Sequence, residues 1–243
     1  MMRINVYLSS KGICSRREAD RFVESGRVRV NDQIAQIGMD IDEFDRVTLD
    51  GKPIRVAPKT VYLAYHKPIG VESTTDQSKP HNIIDAIKFP ERIFPIGRLD
   101  KDSSGLILLT NDGQIVNQIL RSENAHEKEY LVTVDRDITP DFLHQMQCGV
   151  EIYNPVKHRK QTTLPTKINK LGARKFSIVL VQGLNLQIRR MCSALGYHVM
   201  TLKRIRIMNL SLGDLPSGKY LILDESQIAS LRAMMEDVSS SKS

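Results

Sequence analysis

The residue in this sequence that is best placed to do chemistry is Asp100, in the segment GRLDKDSSGLILLTNDG (residues 97–113). It occupies a polar, glycine-bounded turn between two apolar runs, and Arg98 and Lys101 flank it. Nearby positive charge favours the ionised form of a carboxyl group, so Asp100 is available as a nucleophile or a base. The same letters also describe an ordinary surface turn that leads into a buried strand. Spacing alone leaves both interpretations open.

Two further segments hold an aromatic side chain and a planar cation. HEKEYLVTV places Tyr130 at the start of a predicted strand, just after Lys128. QGLNLQIRRM places Arg189 and Arg190 near the start of a predicted helix, after a glycine-containing loop. Taken singly, Tyr130 is typical of a half-buried strand tyrosine and Arg189 of a surface salt bridge. Only Asp100 and these two segments together, in this order, are specific.

The segments HKPIGVEST, GRLD, KEY and QIRRM together resemble the motifs of RNA pseudouridine synthases, in particular the family that modifies ribosomal RNA as a single protein. The resemblance implies that Asp100 is the catalytic aspartate and that Tyr130 stacks on the target base. It also implies that Arg189 pairs with the catalytic carboxylate. Three more residues are assigned to the substrate: Ile188 in the pocket wall, Lys128 beside Tyr130, and Arg98 in the RNA stack in place of the flipped nucleotide.

The reaction implied by the resemblance is the isomerisation of uridine to pseudouridine in folded RNA. The uridine must leave its stack, which costs roughly a few kcal/mol, and stacking and charged contacts recover part of this. Asp100 either attacks the anomeric carbon or removes a proton from the neighbouring ribose carbon to give a glycal, and the sequence does not choose. The reaction needs no metal or organic cofactor. The sequence has no P-loop and no dinucleotide-binding glycine pattern.

The QIRRM segment departs from the family pattern at Leu186, where many relatives have a basic residue or histidine. This departure and the similarity of KRIRIMNLSLGDLPSGKY favour the subgroup that acts on large-subunit ribosomal RNA. A transfer RNA substrate stays open, because shape-led recognition accepts stem-loops of similar form. A non-catalytic RNA-binding protein of ribosome assembly is the other alternative. Such a protein has no use for an ionised Asp100, so the substitution Asp100→Asn separates it from the enzyme.

The N-terminal residues predict a helical hairpin on a small sheet. Apolar spacing indicates two short helices within residues 3–24, and Ser15 and Glu18 have the spacing of a capping box at the start of the second. Asn31-Asp32 and Asp50-Gly51 separate short alternating runs, which is typical of β-hairpins.

This hairpin resembles the alpha-L RNA-binding module of ribosomal proteins, through the stretches SRREAD and GRVRVND. The module would cover residues 1–56. Guanidinium groups suit phosphate oxygens, so the arginines of one crowded surface are expected to bind RNA. The alternative is a charged helix face on which acidic side chains pair with the arginines, but the arginines outnumber the acids. The arginines expected to bind RNA are Arg16, Arg17, Arg21, Arg27 and Arg29.

A second domain is predicted for residues 61–237, after a linker at residues 57–60 that contains Pro58. Strand-like runs (ERIFPIG, LILLT, EYLVTV, KFSIVLV) and helix-like runs (GQIVNQILRS, TPDFLHQMQCG, NLQIRRMCSALG) are mixed without strict βαβ alternation. The sequence therefore predicts an α+β fold, with a mixed, mainly antiparallel sheet and flanking helices. Residues 238–243 are predicted to form a disordered tail.

The composition of the 243-residue chain, 41% hydrophobic and 26% charged, is typical of a soluble globular protein. No stretch approaches the roughly 20 apolar residues of a membrane span, and the N-terminus lacks the pattern of a secretion signal. We therefore expect a cytoplasmic protein, and we expect it to be a monomer. The spacing of Cys14, Cys148 and Cys192 suits neither a disulfide framework nor a zinc site, so three buried thiols are expected.

The net charge of +7 is by itself only a weak indication of nucleic-acid binding. The distribution of charge says more, because residues 157–175 contain seven Lys or Arg and no acidic residue. Phosphate binding requires such a local excess, so Lys157, Arg159 and Lys160 are predicted to contact RNA. A solvated basic hairpin is the alternative. Structured RNA is the expected partner of the protein.

Overall fold

A computed structural model describes residues 1–42, 44–54, 59–120, 126–155 and 157–240. The chain forms two compact units. The first comprises Met1–Val61, Phe89–Ile93 and Thr110–Gly113, and the second comprises Tyr62–Lys88, Phe94–Leu109 and Gln114–Ser243.

The first unit contains helices α1 (Ile4–Ser10) and α2 (Arg16–Glu24). At the start of α2 the Ser15 hydroxyl accepts a hydrogen bond from the Glu18 N–H, and the Glu18 carboxylate accepts one from the Ser15 N–H. The predicted capping box is therefore confirmed, and it satisfies two backbone donors that the helix itself leaves without acceptors.

Six short strands complete the first unit. They are β1 (Met2–Arg3), β2 (Val28–Val30), β3 (Gln33–Ile34), β4 (Asp40–Ile41), β5 (Val47–Leu49) and β6 (Lys52–Pro53). Strands β3-β2-β5-β6, in this order, form a four-stranded antiparallel sheet. Its two outer pairs are hairpins that turn at the predicted positions, β2–β3 at Asn31-Asp32 and β5–β6 at Asp50-Gly51. All four turn residues have positive φ, as a type I′ hairpin turn requires. Ile4, Leu8, Ala19 and Val28 are fully buried in the core that the helices and this sheet share.

The second unit is built on a nine-stranded sheet. The strands that follow β6 are β7 (Tyr62–Lys67), β8 (Phe94–Ile96), β9 (Ser104–Thr110), β10 (Lys128–Val134), β11 (Glu151–Asn154), β12 (Arg159–Thr162), β13 (Lys167–Gly172), β14 (Lys175–Leu180), β15 (Val199–Ile207), β16 (Leu210–Ser211) and β17 (Tyr220–Ile222). The main order is β13-β14-β10-β15-β9-β7-β17, with β16 beside β15 and β8 beside β9, whereas β11 and β12 form a separate hairpin. Strands β9 and β15 are parallel, and β10 is antiparallel to both β14 and β15. The predicted mixed, mainly antiparallel α+β fold is confirmed.

Helices flank this sheet: α3 (Ile83–Ile87), α4 (Gly113–Leu120), α5 (Pro140–Cys148), α6 (Gln187–Ala194) and α7 (Glu225–Ser240). One buried cluster joins Phe142 of α5 and Met191 of α6 to Val132 of β10 and Phe176 of β14. A second cluster contains Leu106 and Leu108 of β9 together with Ile115 of α4 and Leu231 of α7. Helices α4, α5, α6 and α7 therefore pack against the strands that carry the site described below. No helix in the described ranges is long and apolar enough to span a membrane.

Two expectations from the sequence differ from the structure. Helix α7 continues through Ser240, so residues 238–240 are helical and not a disordered tail; extending a helix costs less than nucleating one. Cys148 is exposed, unlike Cys14 and Cys192, because α5 buries the opposite face, which carries Phe142 and Met146. Residues 57 and 58 of the expected linker and residues 241–243 of the expected tail lie outside the described residues.

Candidate active site

Asp100 lies in the turn that connects β8 to β9. Ser73 fixes the residue before it, because the Ser73 hydroxyl donates to the Leu99 carbonyl (2.8 Å) and accepts from the Leu99 N–H (3.2 Å). The Ser103 N–H donates to the Asp100 carbonyl at 3.0 Å and closes the turn. Leu99 and Ser103 are buried, whereas Asp100 is half-buried. The backbone is thus anchored on both sides of a carboxylate that stays accessible.

Lys67 supports the same turn from β7. This lysine is fully buried, and its ammonium donates to the carbonyls of Pro68 (2.9 Å) and Val71 (2.7 Å), with a longer contact to Lys101 (3.5 Å). The Gly70 N–H donates to the Lys101 carbonyl at 2.8 Å. The HKPIG segment therefore folds around one buried cation and holds the residue after Asp100 in place.

Arg189 does not pair with the Asp100 carboxylate, contrary to the expectation from the sequence. Its guanidinium donates to the carbonyls of Asp102 (2.8 Å) and Val199 (3.3 Å), and it lies 3.4 Å from the Ser103 hydroxyl. Its position in the first turn of α6 brings the guanidinium to the C-terminal side of the turn, two residues beyond Asp100. Arg189 therefore braces the backbone of the turn.

A cavity of about 500 Å³ lies beside the turn. This volume is within the range of small-molecule sites. Several elements contribute to its wall, among them the turn, β10, β15, the loop before α6 and the start of α6. Five of the six side chains that the sequence assigned to catalysis or substrate line it: Arg98, Asp100, Lys128, Tyr130 and Ile188. Arg189 is not part of this lining.

Arg204 also lines the cavity, and no sequence motif predicted it. It lies on β15 directly opposite Tyr130 of β10, is only 4% exposed, and donates from Nε to the Leu106 carbonyl at 2.7 Å. The alternation of LKRIRI does not single it out, because Arg204 and Arg206 fall on one face of a strand while Ile205 and Ile207 fall on the other.

Gly105 allows β15 to approach β9 closely. Residue 105 has φ of +111°, and a Cβ added there would lie 2.1 Å from the Arg204 carbonyl oxygen. Only glycine combines this backbone conformation with such a close approach. The parallel pairing of Gly105 with Arg204 therefore brings the arginine into the wall of the cavity that contains Asp100.

Burial perturbs both lysines near the turn. Removal from water lowers the pKa of Lys67 to about 8, which the negative charges of Asp100 and Asp102 partly oppose. Burial, together with the smaller effect of the positive charge of Arg204, likewise lowers the pKa of Lys128 to about 8. Lys128 donates to the His126 carbonyl at 3.0 Å. The cavity wall therefore contains a lysine that changes its charge in the mildly alkaline range.

The loop before α6 contains a strained residue. Leu186 adopts φ of +50° at the N-cap of α6, and no side chain caps this helix. The Gln187 side chain instead accepts from the Leu184 N–H at 3.0 Å. Left-handed conformations are unfavourable for leucine and persist only where the surroundings impose them. Leu186 and the loop around it line the cavity, so this strained conformation lies at the site itself.

Two family models match this chain. The RNA pseudouridylate synthase family matches residues 61–194, and the S4 domain family matches residues 2–47. The chain belongs to the RNA pseudouridine synthase family. These enzymes are isomerases, and the chain consists of an N-terminal S4 domain followed by a pseudouridine synthase domain.

Close relatives cover nearly the whole chain. The dual-specificity RNA pseudouridine synthase RluF of Escherichia coli strain K12 is 48% identical over 241 residues, which are 98% of this chain and 81% of that protein. The ribosomal large subunit pseudouridine synthase B of Bacillus subtilis is 30% identical, over 97% and 98% of the two chains. A crystal structure of a pseudouridylate synthase superposes with a TM-score of 0.69 at 26% identity, covering 95% of this chain and all of that one.

The arginines of the S4 domain fall into two groups. Arg16, Arg17 and Arg21 are exposed on α2. Arg27 forms a bidentate pair with Asp50 (2.9 and 2.6 Å), and Arg29 donates to the Asp32 carbonyl at 2.8 Å. Contacts inside the domain therefore already occupy Arg27 and Arg29, and RNA binding by all five stays a prediction.

The excess of positive charge in residues 157–175 is smaller in the folded protein than the sequence of this segment indicates. It is divided between the β11–β12 hairpin and strands β13 and β14. Acidic residues from elsewhere in the chain pair with three of its cations: Lys160 with Glu151 (3.0 Å), Lys167 with Glu127 (2.9 Å) and Arg174 with Asp137 (2.9 Å). Lys157 and Arg159 are exposed, and their contact with RNA stays a prediction.

The described residues contain no group of three or more His, Cys, Asp or Glu side chains arranged to hold a metal ion.

Proposed function

We propose that this RNA pseudouridine synthase isomerises specific uridines of large-subunit ribosomal RNA, and that Asp100 acts on the flipped-out uridine as nucleophile or base. The observation that carries the proposal is the placement of Asp100. A half-buried carboxylate, anchored through its own backbone, stands in the wall of a cavity that also contains an aromatic ring and several cations.

The cavity suits a single extruded base. Its volume of about 500 Å³ accommodates a uracil and part of its ribose. Tyr130 offers a ring for stacking, which recovers part of the free energy of extrusion. Arg98 is exposed at the edge of the turn, where it can occupy the gap that the flipped nucleotide leaves in the RNA. Both chemical routes open to Asp100, attack on the anomeric carbon and formation of a glycal, require the carboxylate to be ionised.

The names of the relatives support two RNA classes. The Bacillus subtilis relative is named for the large ribosomal subunit, which supports the main proposal. The relatives at 47–49% identity are named dual-specificity enzymes, so a second class of substrate is the specific alternative, and we propose transfer RNA for it. The proposal also includes a monomeric enzyme in the cytoplasm, and sedimentation of the purified protein tests the monomer.

Release of tritium from uridine labelled at ring carbon 5 tests the proposal, with large-subunit ribosomal and transfer RNA transcripts as substrates. We expect wild-type protein to release tritium, and Asp100→Asn to bind the same RNA with no detectable release. Asp102→Asn is the matched control, because that side chain is exposed and is not among the residues that line the cavity. It should retain most of the activity.

The pattern of release distinguishes the alternatives. Release from ribosomal RNA alone supports the narrower substrate, and release from both RNAs supports dual specificity. Equal activity of Asp100→Asn and wild type would contradict the role of Asp100. Absence of release by folded protein that binds RNA would favour the assembly factor or a partly built ribosomal particle as substrate.

A further inference from the structure

Two buried donors in the cavity wall have no acceptor. Among the described residues, the buried side-chain nitrogen and oxygen atoms without a hydrogen-bond partner are Arg204 Nη2 and Gln182 Nε2. Both residues line the cavity that contains Asp100. Both atoms are N–H donors and cannot accept. An unsatisfied buried donor destabilises a folded protein, so two in one cavity indicate that a ligand supplies the acceptors.

The charge of Arg204 is also uncompensated. The side chain is 4% exposed, and its Nε donates to a neutral carbonyl, that of Leu106. No carboxylate of the described residues forms an ion pair with it, and Asp100 is the one acidic residue in the cavity lining. Lys128 and Arg98 add further positive charge to the same wall. A buried cation without a partner is unfavourable in the free protein.

The chemistry of the reaction supplies a suitable partner. When the bond between ribose C1′ and uracil N1 breaks, its electron pair stays on the base, and the resulting anion is delocalised over N1 and the two carbonyl oxygens. This holds whether Asp100 bonds to C1′ or takes the C2′ proton. Attack by C5 on C1′ then forms the new carbon–carbon bond and neutralises the base, while the Asp100–C1′ bond breaks or, in the glycal route, Asp100 returns the proton to C2′. Transfer of the C5 proton to N1 completes pseudouridine. Uracil therefore carries the negative charge between cleavage of its N1–C1′ bond and formation of the C5–C1′ bond.

We propose that Arg204 donates from Nη2 to a carbonyl oxygen of the flipped uracil and stabilises the uracil anion, with Gln182 donating to a second acceptor of the base. This inference rests on the proposed function. A fixed cation in a water-poor cavity stabilises the anion more than the neutral nucleoside, so it lowers the barrier to cleavage. Arg204 is then a catalytic residue that acts on the base, whereas Asp100 acts on the sugar.

The test compares Arg204→Met and Arg204→Lys in single-turnover tritium release, RNA binding and thermal unfolding. Arg204→Met keeps the bulk of the side chain and removes the charge. We expect its rate to fall about 100-fold, the effect of removing one donor to a developing anion, with RNA affinity within about threefold of wild type. Its Tm should equal or exceed that of wild type, because an uncompensated buried charge has gone. Arg204→Lys should recover part of the rate.

Arg206→Gln is the matched control. It removes a guanidinium from the same strand, but Arg206 pairs with Glu127 and Glu129 (3.0 Å each) and is not among the residues that line the cavity. Its rate should stay within about threefold of wild type. If Arg204 were only a structural brace for β9, Arg204→Met would lose stability together with activity, which would overturn the proposal.

Two further outcomes would also overturn it. An unchanged rate for Arg204→Met would show that the base needs no such donor. A shift of the acidic limb of the pH–rate profile to higher pH, with an unchanged plateau, would assign Arg204 to the ionisation of Asp100. Failure of the proposed function is recognised separately, because wild-type protein would then release no tritium from any RNA, and the inference would fall with it.

A sulfur-substituted substrate gives an independent measurement. Sulfur is a weaker hydrogen-bond acceptor than oxygen, and 2-thiouridine and 4-thiouridine each replace one carbonyl oxygen of the base. We expect wild-type protein to react more slowly with the analogue that replaces the oxygen contacted by Arg204. The same sulfur replacement should not slow Arg204→Met further, since the effects of coupled changes are not additive. Additive losses at both positions would contradict a direct contact.

Discussion

Asp100 depends more on its backbone than on a charged neighbour. Lys67 and Arg189 are cations, yet both donate to carbonyl oxygens of the residues that follow Asp100. Such contacts place the carboxylate without neutralising it. A nucleophile or base must be both ionised and correctly placed. Placement matters because a displacement of about 1 Å can lower the rate about 100-fold.

Arg189→Met tests this role of the arginine. Loss of the contacts to Asp102 and Val199 should loosen the turn and lower the turnover rate about 10- to 100-fold, with RNA affinity largely kept. The acidic limb of the pH–rate profile should not move, because Arg189 does not touch the Asp100 carboxylate. Arg174→Gln, which breaks an exposed ion pair with Asp137, is the control and should keep full activity. A shifted acidic limb would restore the ion pair that the sequence predicted.

Lys128 makes the stability of the protein depend on pH. Its pKa is about 8 in the folded protein against 10.5 for an ordinary lysine. Between these values the unfolded chain binds more protons, so the free energy of unfolding rises with pH in this window. The unfavourable contribution of Lys128 is complete below pH 8 and is lost as the pH approaches 10.5.

Lys128→Met should therefore gain stability relative to wild type at pH 7, and the gain should shrink by pH 10. Urea unfolding of both proteins at the two pH values measures the difference. Lys175→Met, at an exposed position of β14, is the control, and its difference from wild type should not depend on pH. An equal effect of Lys128→Met at both pH values would show that burial does not perturb this lysine.

For single residues, the sequence predicts which side chains lie at the cavity better than it predicts the contacts that they make. Five of the six side chains assigned from the motifs line one cavity, because each lies at a fixed place relative to a strand or helix end. The partner of Arg189 and the position of Arg204 depend on the register of β15 beside β9 and β10. Local patterns do not contain that register.

The elements show the same division between local and non-local information. The capping box at Ser15 and the turns at Asn31-Asp32 and Asp50-Gly51 follow from a few adjacent residues, and the structure contains all of them. The insertion of β15 between β9 and β10 joins segments far apart in the chain, and no local pattern predicts it. The ion pairs that balance the segment 157–175 are non-local in the same way.

Gly105→Ala tests the contact between β9 and β15. The new Cβ would meet the Arg204 carbonyl at 2.1 Å, and alanine is unfavourable at φ of +111°. Strain and overpacking each cost about 1–3 kcal/mol, so we expect the free energy of unfolding to fall by at least about 2 kcal/mol. In Gly172→Ala, the control, the nearest atom to the new Cβ is 3.8 Å away, so its stability should change little. Equal stability of the two variants would mean that β15 shifts freely.

For the whole molecule, the position of positive charge matters more than its total of +7. Acidic side chains pair with several cations of the second unit, including Lys160, Lys167 and Arg206. In the S4 domain, Arg16 and Arg17 project from the exposed first turn of α2. We therefore expect this helix to contribute phosphate contacts that set RNA affinity, while the cavity of the second unit sets the rate of the chemical step.

The double substitution Arg16→Ala/Arg17→Ala tests this division. Each lost phosphate contact reduces the slope of log K against log salt by about 1, so the slope should fall by about 2. Arg46→Ala, which breaks an ion pair with Asp32 in the same unit, is the control and should leave the slope unchanged. Tritium release at saturating RNA and low salt should match wild type, because the cavity is intact. An unchanged slope in the double variant would remove α2 from the RNA interface, and a reduced rate at saturation would show that α2 also affects the chemical step.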